Sequence, residues 1–315
     1  MAGQIFHFLH RKSEPQPRRD DTLALRTRIS ERQRRLAAEL RRLREDRGIS
    51  TNDAAAAIGI KAPFLSKIEA GRTAIATDRI RRLCDFYGGI SAPHLEALVA
   101  MSESDGKGWW SAYTGRVTQY ALNLAELEAS AVSLCSYEPL LIPGLFQTEE
   151  YIRALFGDVQ PRHATTEDAI AFRLERQRTL TGESPPAVHA VIHEAALRMH
   201  YGGPGVMRKQ LLTLIELARL PNVTIQVFPF RARTFLGVST PFLYARPPVE
   251  ELATVVLEHP NEPIYRDTQD HLSQYRVLFG RLKESALLPI APSTAPEAQA
   301  VPGSLMLIQH LLYDL

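Results

Sequence analysis

Between Gly59 and Arg72 the chain reads GIKAPFLSKIEAGR. Lys61 and Lys67 carry fixed positive charge. Ser66 offers a hydroxyl that gives or takes a hydrogen bond, and Ala62 and Pro63 are small enough to let a partner come close. Arg72 adds a guanidinium just past Gly71. Leu65 and Ile68 stand three apart, so any helix through the stretch puts them on one face, and that face needs a core. The other face needs none. A short helix with one buried face and one basic, close-approach face suits the major groove of double-stranded DNA. Upstream, Ser50 and Thr51 stand at the start of another helix, whose free amides suit a phosphate.

These groups need a scaffold, and the flanking sequence supplies the pattern of one. Residues 30–47 read as a helix with Leu36, Leu40 and Leu43 in one stripe and arginines on the other faces; Gly48 ends it. The second helix opens at STND, where Ser50 and Asp53 form a capping-box variant. A run of four alanines and the turn Ile58-Gly59-Ile60 lead into the basic helix, in which Pro63 is tolerated in the first turn. A fourth helix starts near Thr77-Asp78, read as an N-cap with an acid at the dipole's positive end, carries Ile80, Leu83 and Tyr87, and stops at Gly88-Gly89. Two short helices joined by a glycine turn make a helix-turn-helix.

Charge supports the division. Residues 1–90 hold 19 Lys and Arg against 11 Asp and Glu, a net +8; residues 91–315 hold 18 against 24, a net −6. A basic module joined to an acidic remainder points to a polyanion-binding unit fused to something else. The expected organisation is a disordered arm at 1–28, an all-α helix-turn-helix domain of four to five helices at 29–90 and a linker at 91–107. A larger mixed α/β (α+β) domain follows at 108–288, then a Pro/Ala linker and apolar tail at 289–315. Within the larger domain, helices are expected at 117–130, from Thr148, and at 167–180, 206–220 and 267–285. Strands are expected near 131–138 and at 187–193, 223–230, 239–246 and 252–259.

ELRRLREDRGISTNDAAAAIGIKAPFLSKIEAGR resembles the Xre-type, lambda-repressor-like helix-turn-helix, chiefly through Ser-Lys-Ile-Glu-Ala-Gly-Arg. It departs from that pattern at Thr51, where a glutamine is common, and at Ala62 and Pro63, where polar residues often stand. The resemblance implies that Glu69 pairs with Arg44 to tie the basic helix to the scaffold. The rest of the chain is similar to the C-terminal domain of actinobacterial WhiJ-like regulators, through GWWSAY, YEPLLIPGLFQTEEYIRAL, RLERQ, EAALR and QLLTLIELARLPNVTIQVFPF. That resemblance implies a cytoplasmic, nucleoid-associated transcription regulator, with an antitoxin-like or developmental role. Its C-terminal domain would sense a small-molecule effector or a small BldB-like protein encoded nearby. A DNA-binding homodimer is expected, with no membrane span and no cofactor.

The remaining chemistry is sparse. Cys84 and Cys135 stand far apart, in no metal-binding spacing. His189 and His193 are four apart with no third ligand near, so no metal is expected. Trp109 and Trp110 either stack on bases or pack between the domains. Glu138, Gln147, Arg176, Glu194 and Arg198 either line a ligand or partner pocket or form a stabilising polar network. No nucleophile elbow, phosphate loop or HExxH motif occurs, so no enzyme is expected. In the tail, Leu305, Ile308, Leu311 and Leu312 recur at helical spacing, as a partner-docking helix, or the segment is a strand of the chain's own core.

Overall fold

A computed structural model describes residues 29–158, 166–232, 239–259, 262–291 and 303–315. The arm expected at 1–28 and most of the Pro/Ala stretch lie outside the described residues.

Five helices open the chain: α1 (Glu31–Asp46), α2 (Thr51–Ala57), α3 (Ala62–Glu69), α4 (Thr77–Tyr87) and α5 (Ala92–Glu103). Ser30 caps α1 in a full capping box with Gln33. Leu36, Leu40, Leu65, Ile68, Ile80, Leu83 and Tyr87 meet in one buried core, as their spacing requires. Two local expectations are corrected. The N-cap of α4 is Ala76, which offers no side-chain acceptor. The Ser50 hydroxyl accepts from the Asp53 amide but donates to the Asp53 carboxylate, so the reciprocal half of the capping box is not made.

The linker expected at 91–107 is mostly helix. Ser91 caps α5, and Leu98 and Val99 are buried in the helical core, so the N-terminal domain runs to about residue 103.

The larger domain is built on one mixed sheet of six strands, β1 (Ser133–Glu138), β2 (Ala187–His193), β3 (Val223–Phe228), β4 (Phe242–Arg246), β5 (Thr254–Leu257) and β6 (Ile264–Arg266), in the order β3-β2-β1-β4-β5-β6. The first three run parallel, and β4 to β6 continue as an antiparallel meander. Parallel neighbours need long crossovers. They are provided by α7 (Glu149–Asp158) and α8 (Thr166–Arg176) before β2, then α9 (Glu194–Arg198) and α10 (Pro204–Leu217) before β3. The strands alternate between two buried faces. Leu134, Val188, Ala190 and Ile225 pack with α10, while Tyr137, Val191, Phe242 and Val255 pack beneath α11 (Gln269–Ser285). The result is a helix-sheet-helix sandwich, joined to the first domain through α6 (Gln119–Ala129).

The apolar tail belongs to the chain's own core, but as a helix and not as a strand. It forms α12 (Ser304–Asp314), and Leu305, Ile308 and Leu311 are buried against α10, α9 and β3; Leu312 packs at the edge. Among the described residues, no helix is long and apolar enough to cross a membrane.

The two domains share packing. Leu252, on the turn before β5, is buried in the helical domain's core, and Val249 packs beside it. Ion pairs flank this contact: Arg32 Nε to Glu126 Oε1 at 2.7 Å and Arg34 Nη2 to Asp267 Oδ2 at 2.8 Å.

Candidate nucleic-acid interface and polar crevice

The α2-turn-α3 unit is held by backbone geometry. Gly59 takes φ 70°, where a side chain is strained, and the Ile60 amide returns to the Ala55 carbonyl at 3.0 Å. This turn aims Leu65 and Ile68 into the core. Lys61, Pro63, Ser66, Lys67 and Arg72 are exposed. Ala62 is half-buried and packs partly against the helical core, so it offers less open surface than expected. Ser50 is exposed at the start of α2, and Thr51, its first residue, is half-buried.

Most arginines of this domain are already spent. Arg41 pairs with Glu45, Arg42 with Glu39, Arg44 with Glu69 and Arg81 with Glu96, while Arg47 and Arg82 donate to the carbonyls of Gly88 and Ala57. By contrast, among the described residues no carboxylate partners Lys61, Lys67 or Arg72. Three unneutralised cations therefore stand on and beside the exposed face of α3. Ser66 is less free than its type suggests, because its hydroxyl donates to the Ala62 carbonyl at 3.1 Å.

Two buried carboxylates hold α1 in place. Glu69 accepts from Arg44 in a two-pronged contact, Nε to Oε1 at 2.7 Å and Nη2 to Oε2 at 2.9 Å, and Arg44 Nη1 donates to the Ile49 carbonyl. Glu39 is fully buried against Arg35, Arg42 and His94. Burial alone would push its carboxyl up. The close approach of His94 Nε2 at 3.1 Å, the Arg42 hydrogen bonds and the charges of Arg35 and Arg42 overcome that and hold it well below the usual range.

The five polar residues singled out in the larger domain separate. Glu138 and Arg176 share a small crevice where β1 ends, with about 40 Å³ of open space, enough for a water or two. Glu194 and Arg198 instead pair with each other, and Glu194 also accepts from the Phe230 amide. Gln147 braces its loop, donating to the Ile142 carbonyl and accepting from Arg173.

Glu128, Glu258 and Tyr120, not foreseen, complete the crevice. Arg176 Nε lies 2.9 Å from Glu128 Oε2, in charge contact but with its N–H turned off the hydrogen-bond line. Burial pushes the Glu128 carboxyl up to about 7 against the pull of Arg176, and burial with the Glu258 charge puts Glu138 well above its ordinary value. Folded Glu128 thus keeps a proton that the unfolded chain releases above 4.5. Its contribution to stability is complete below that value and is lost as pH rises towards 7, by up to about 3 kcal/mol at 1.36 kcal/mol per unit. Melting followed from pH 5 to 8 should show wild type losing stability across this window and Glu128→Gln losing less. Parallel profiles would mean that Glu128 is ionised throughout.

His189 lies within β2, and His193 ends that strand and caps α9. Each is occupied: His189 Nε2 meets Gln226 Oε1 at 2.7 Å, and His193 Nδ1 accepts from the Ala195 amide that opens α9. Trp109 packs on Phe172 at 5.0 Å between ring centres, and Trp110 sits at the domain junction with its indole N–H on the Gly106 carbonyl.

Comparison with known families gives two matches. Residues 35–98 match a helix-turn-helix domain, a span that includes α5 up to Leu98. Residues 122–293 match a domain of unknown function, DUF5753. No curated protein and no solved structure was found to match the chain.

Proposed function

From the premise that the chain belongs to the DUF5753 family, with a helix-turn-helix domain ahead of that domain, we propose that it is a sequence-specific transcription regulator of the WhiJ-like kind. It acts in the cytoplasm, on the nucleoid, as a homodimer whose two α3 helices enter major grooves about one turn apart. Lys61, Lys67 and Arg72, with the amides at Ser50 and Thr51, hold phosphates; Ser66, Ala62 and Pro63 face the base edges. The C-terminal domain takes the signal, from a small-molecule effector or a small BldB-like protein. The observation that carries this reading is the set of cations left unpaired around α3, in a domain whose other arginines are largely neutralised.

Selection of bound duplexes from a random pool tests it. Full-length protein should enrich a motif of two related half-sites, and Lys61→Ala/Lys67→Ala should lose the enrichment while melting as wild type does. A second reading has an observation of its own. With Ser66 bonded to its own helix and Ala62 partly turned inward, α3 has few groups left to read bases. In that reading the chain is an antitoxin-like module that sequesters the BldB-like partner, with DNA binding secondary. Failure to enrich any motif, together with co-purification of a small protein by the doubly substituted full chain, would decide for it.

A further inference from the structure

A cleft of about 420 Å³ lies where the two domains meet. Its walls come from both: Ala100 on α5, Leu127 and Ala129 on α6, Pro248 on the loop after β4, and Trp110. The charged groups along it are already paired, Glu31 with Arg34, Arg32 with Glu126, Arg35 with Glu39 and Lys107 with Asp105. What is left to meet an occupant is apolar surface, and a concave apolar surface of this extent marks an interaction site.

The chain itself names the occupant. Glu31 and Arg32, the first two residues of α1, line the cleft, so the segment ahead of α1 starts from the cleft's own wall. Ile29, the first described residue, packs beside Gly71, two residues from that wall. Upstream stand residues 1–28, and their densest apolar group is Ile5-Phe6-His7-Phe8-Leu9. A coil of about twenty residues, the length between Leu9 and Ser30, has a root-mean-square span of about 25 Å, ample for the return. A tether of that kind holds its end at an effective concentration of about a millimolar, roughly a thousandfold above a second copy present at micromolar concentration.

We infer that residues 5–9 dock in the junction cleft of their own chain, with Phe6 and Phe8 as the seated side chains. Two apart, these rings fall on one side of an extended segment. Seated there, the segment touches α5 and α6 at once and braces the helical domain against the sheet domain. The docking needs no DNA and stands apart from the regulator reading.

The test uses the full chain with p-benzoylphenylalanine in place of Phe8. Irradiation should give a product joined within one chain, and peptide mapping should find the join in 97–101, 127–131 or 247–249. The same probe in place of Gln16 should join these peptides far less. Joins elsewhere in the chain, joins between two copies, or a yield no higher than at Gln16 would each overturn the docking. Phe6→Asp/Phe8→Asp, which alters no residue of the described fold, gives a second readout. The chain's two tryptophans are Trp109 and Trp110, and Trp110 lines the cleft, so their quenching by acrylamide should rise in this variant. It should also bind 1-anilinonaphthalene-8-sulfonate at least about tenfold more tightly than wild type, in which the tethered segment competes. Equal quenching and equal dye affinity in the two chains would mean that this segment does not cover the cleft. None of these outcomes depends on the duplex selection.

Discussion

Glu69→Ala is expected to lower the melting temperature by about 10 °C and to weaken duplex binding with it. The pair it breaks is nearly sealed from water, with 9% of the Arg44 side chain and 6% of the Glu69 side chain exposed. Removing one member leaves the other charge buried, at a cost of about 3–5 kcal/mol. The loss is not confined to one helix, because Arg44 also holds the Ile49 carbonyl at the entrance to α2. α3 would lose its register against α1, and Lys67 with it. Thermal melting, with duplex affinity measured well below the transition, checks both parts. In the Arg44→Ala/Glu69→Ala chain the charges leave together, so its loss should fall short of the sum of the single losses. Unchanged melting of Glu69→Ala would remove the pair from the stability of the fold.

Duplex affinity itself is expected to collapse with salt. Lys61, Lys67 and Arg72 neutralise about three phosphates per subunit and about six in a dimer, while the α2 amides, being neutral, add contacts without releasing counterions. Each neutralised phosphate releases close to one counterion, so log affinity should fall against log salt with a slope of about −5. Between 50 and 200 mM that is a loss of roughly 10³-fold. Replacing Lys67 by alanine in both subunits should reduce the slope by about two. A slope near −2 for wild type would rule out the dimer footprint, whatever the affinity.

The features legible in the sequence were those that repeat locally. Leu36 and Leu40, Leu65 and Ile68, and Ile80, Leu83 and Tyr87 each mark one helix face by spacing alone, and all are buried. AVHAVIH and VTIQVF show β composition, and both are strands. α5 leaves little trace in the sequence because its apolar residues do not fall in one stripe: Leu98 and Val99 are buried in the helical core, while Ala97 and Met101 pack on its edge and also face the junction with the sheet domain. The crevice was half visible. Glu138 and Arg176 lie in recognisable segments, but Glu258 reaches them only because β5 runs alongside β4 in the sheet, and spacing along the chain carries no trace of that. Glu128 did leave a signal, on the buried side of α6 with Leu124 and Ala125. The Arg44–Glu69 contact spans 25 residues and is implied by family resemblance, not by periodicity.

Leu252 has a consequence for the order in which the protein is made. The helical domain is synthesised first, yet its core is closed by a residue that leaves the ribosome about 150 residues after Val99. At roughly 5–20 residues per second, the nascent domain waits on the order of ten seconds or more with an apolar seat unfilled. During that interval it presents a sticky surface that a chaperone could shield. A gene fragment ending at the helical domain would make that interval permanent, so a truncated DNA-binding module should express poorly unless the seat is rebuilt with polar residues.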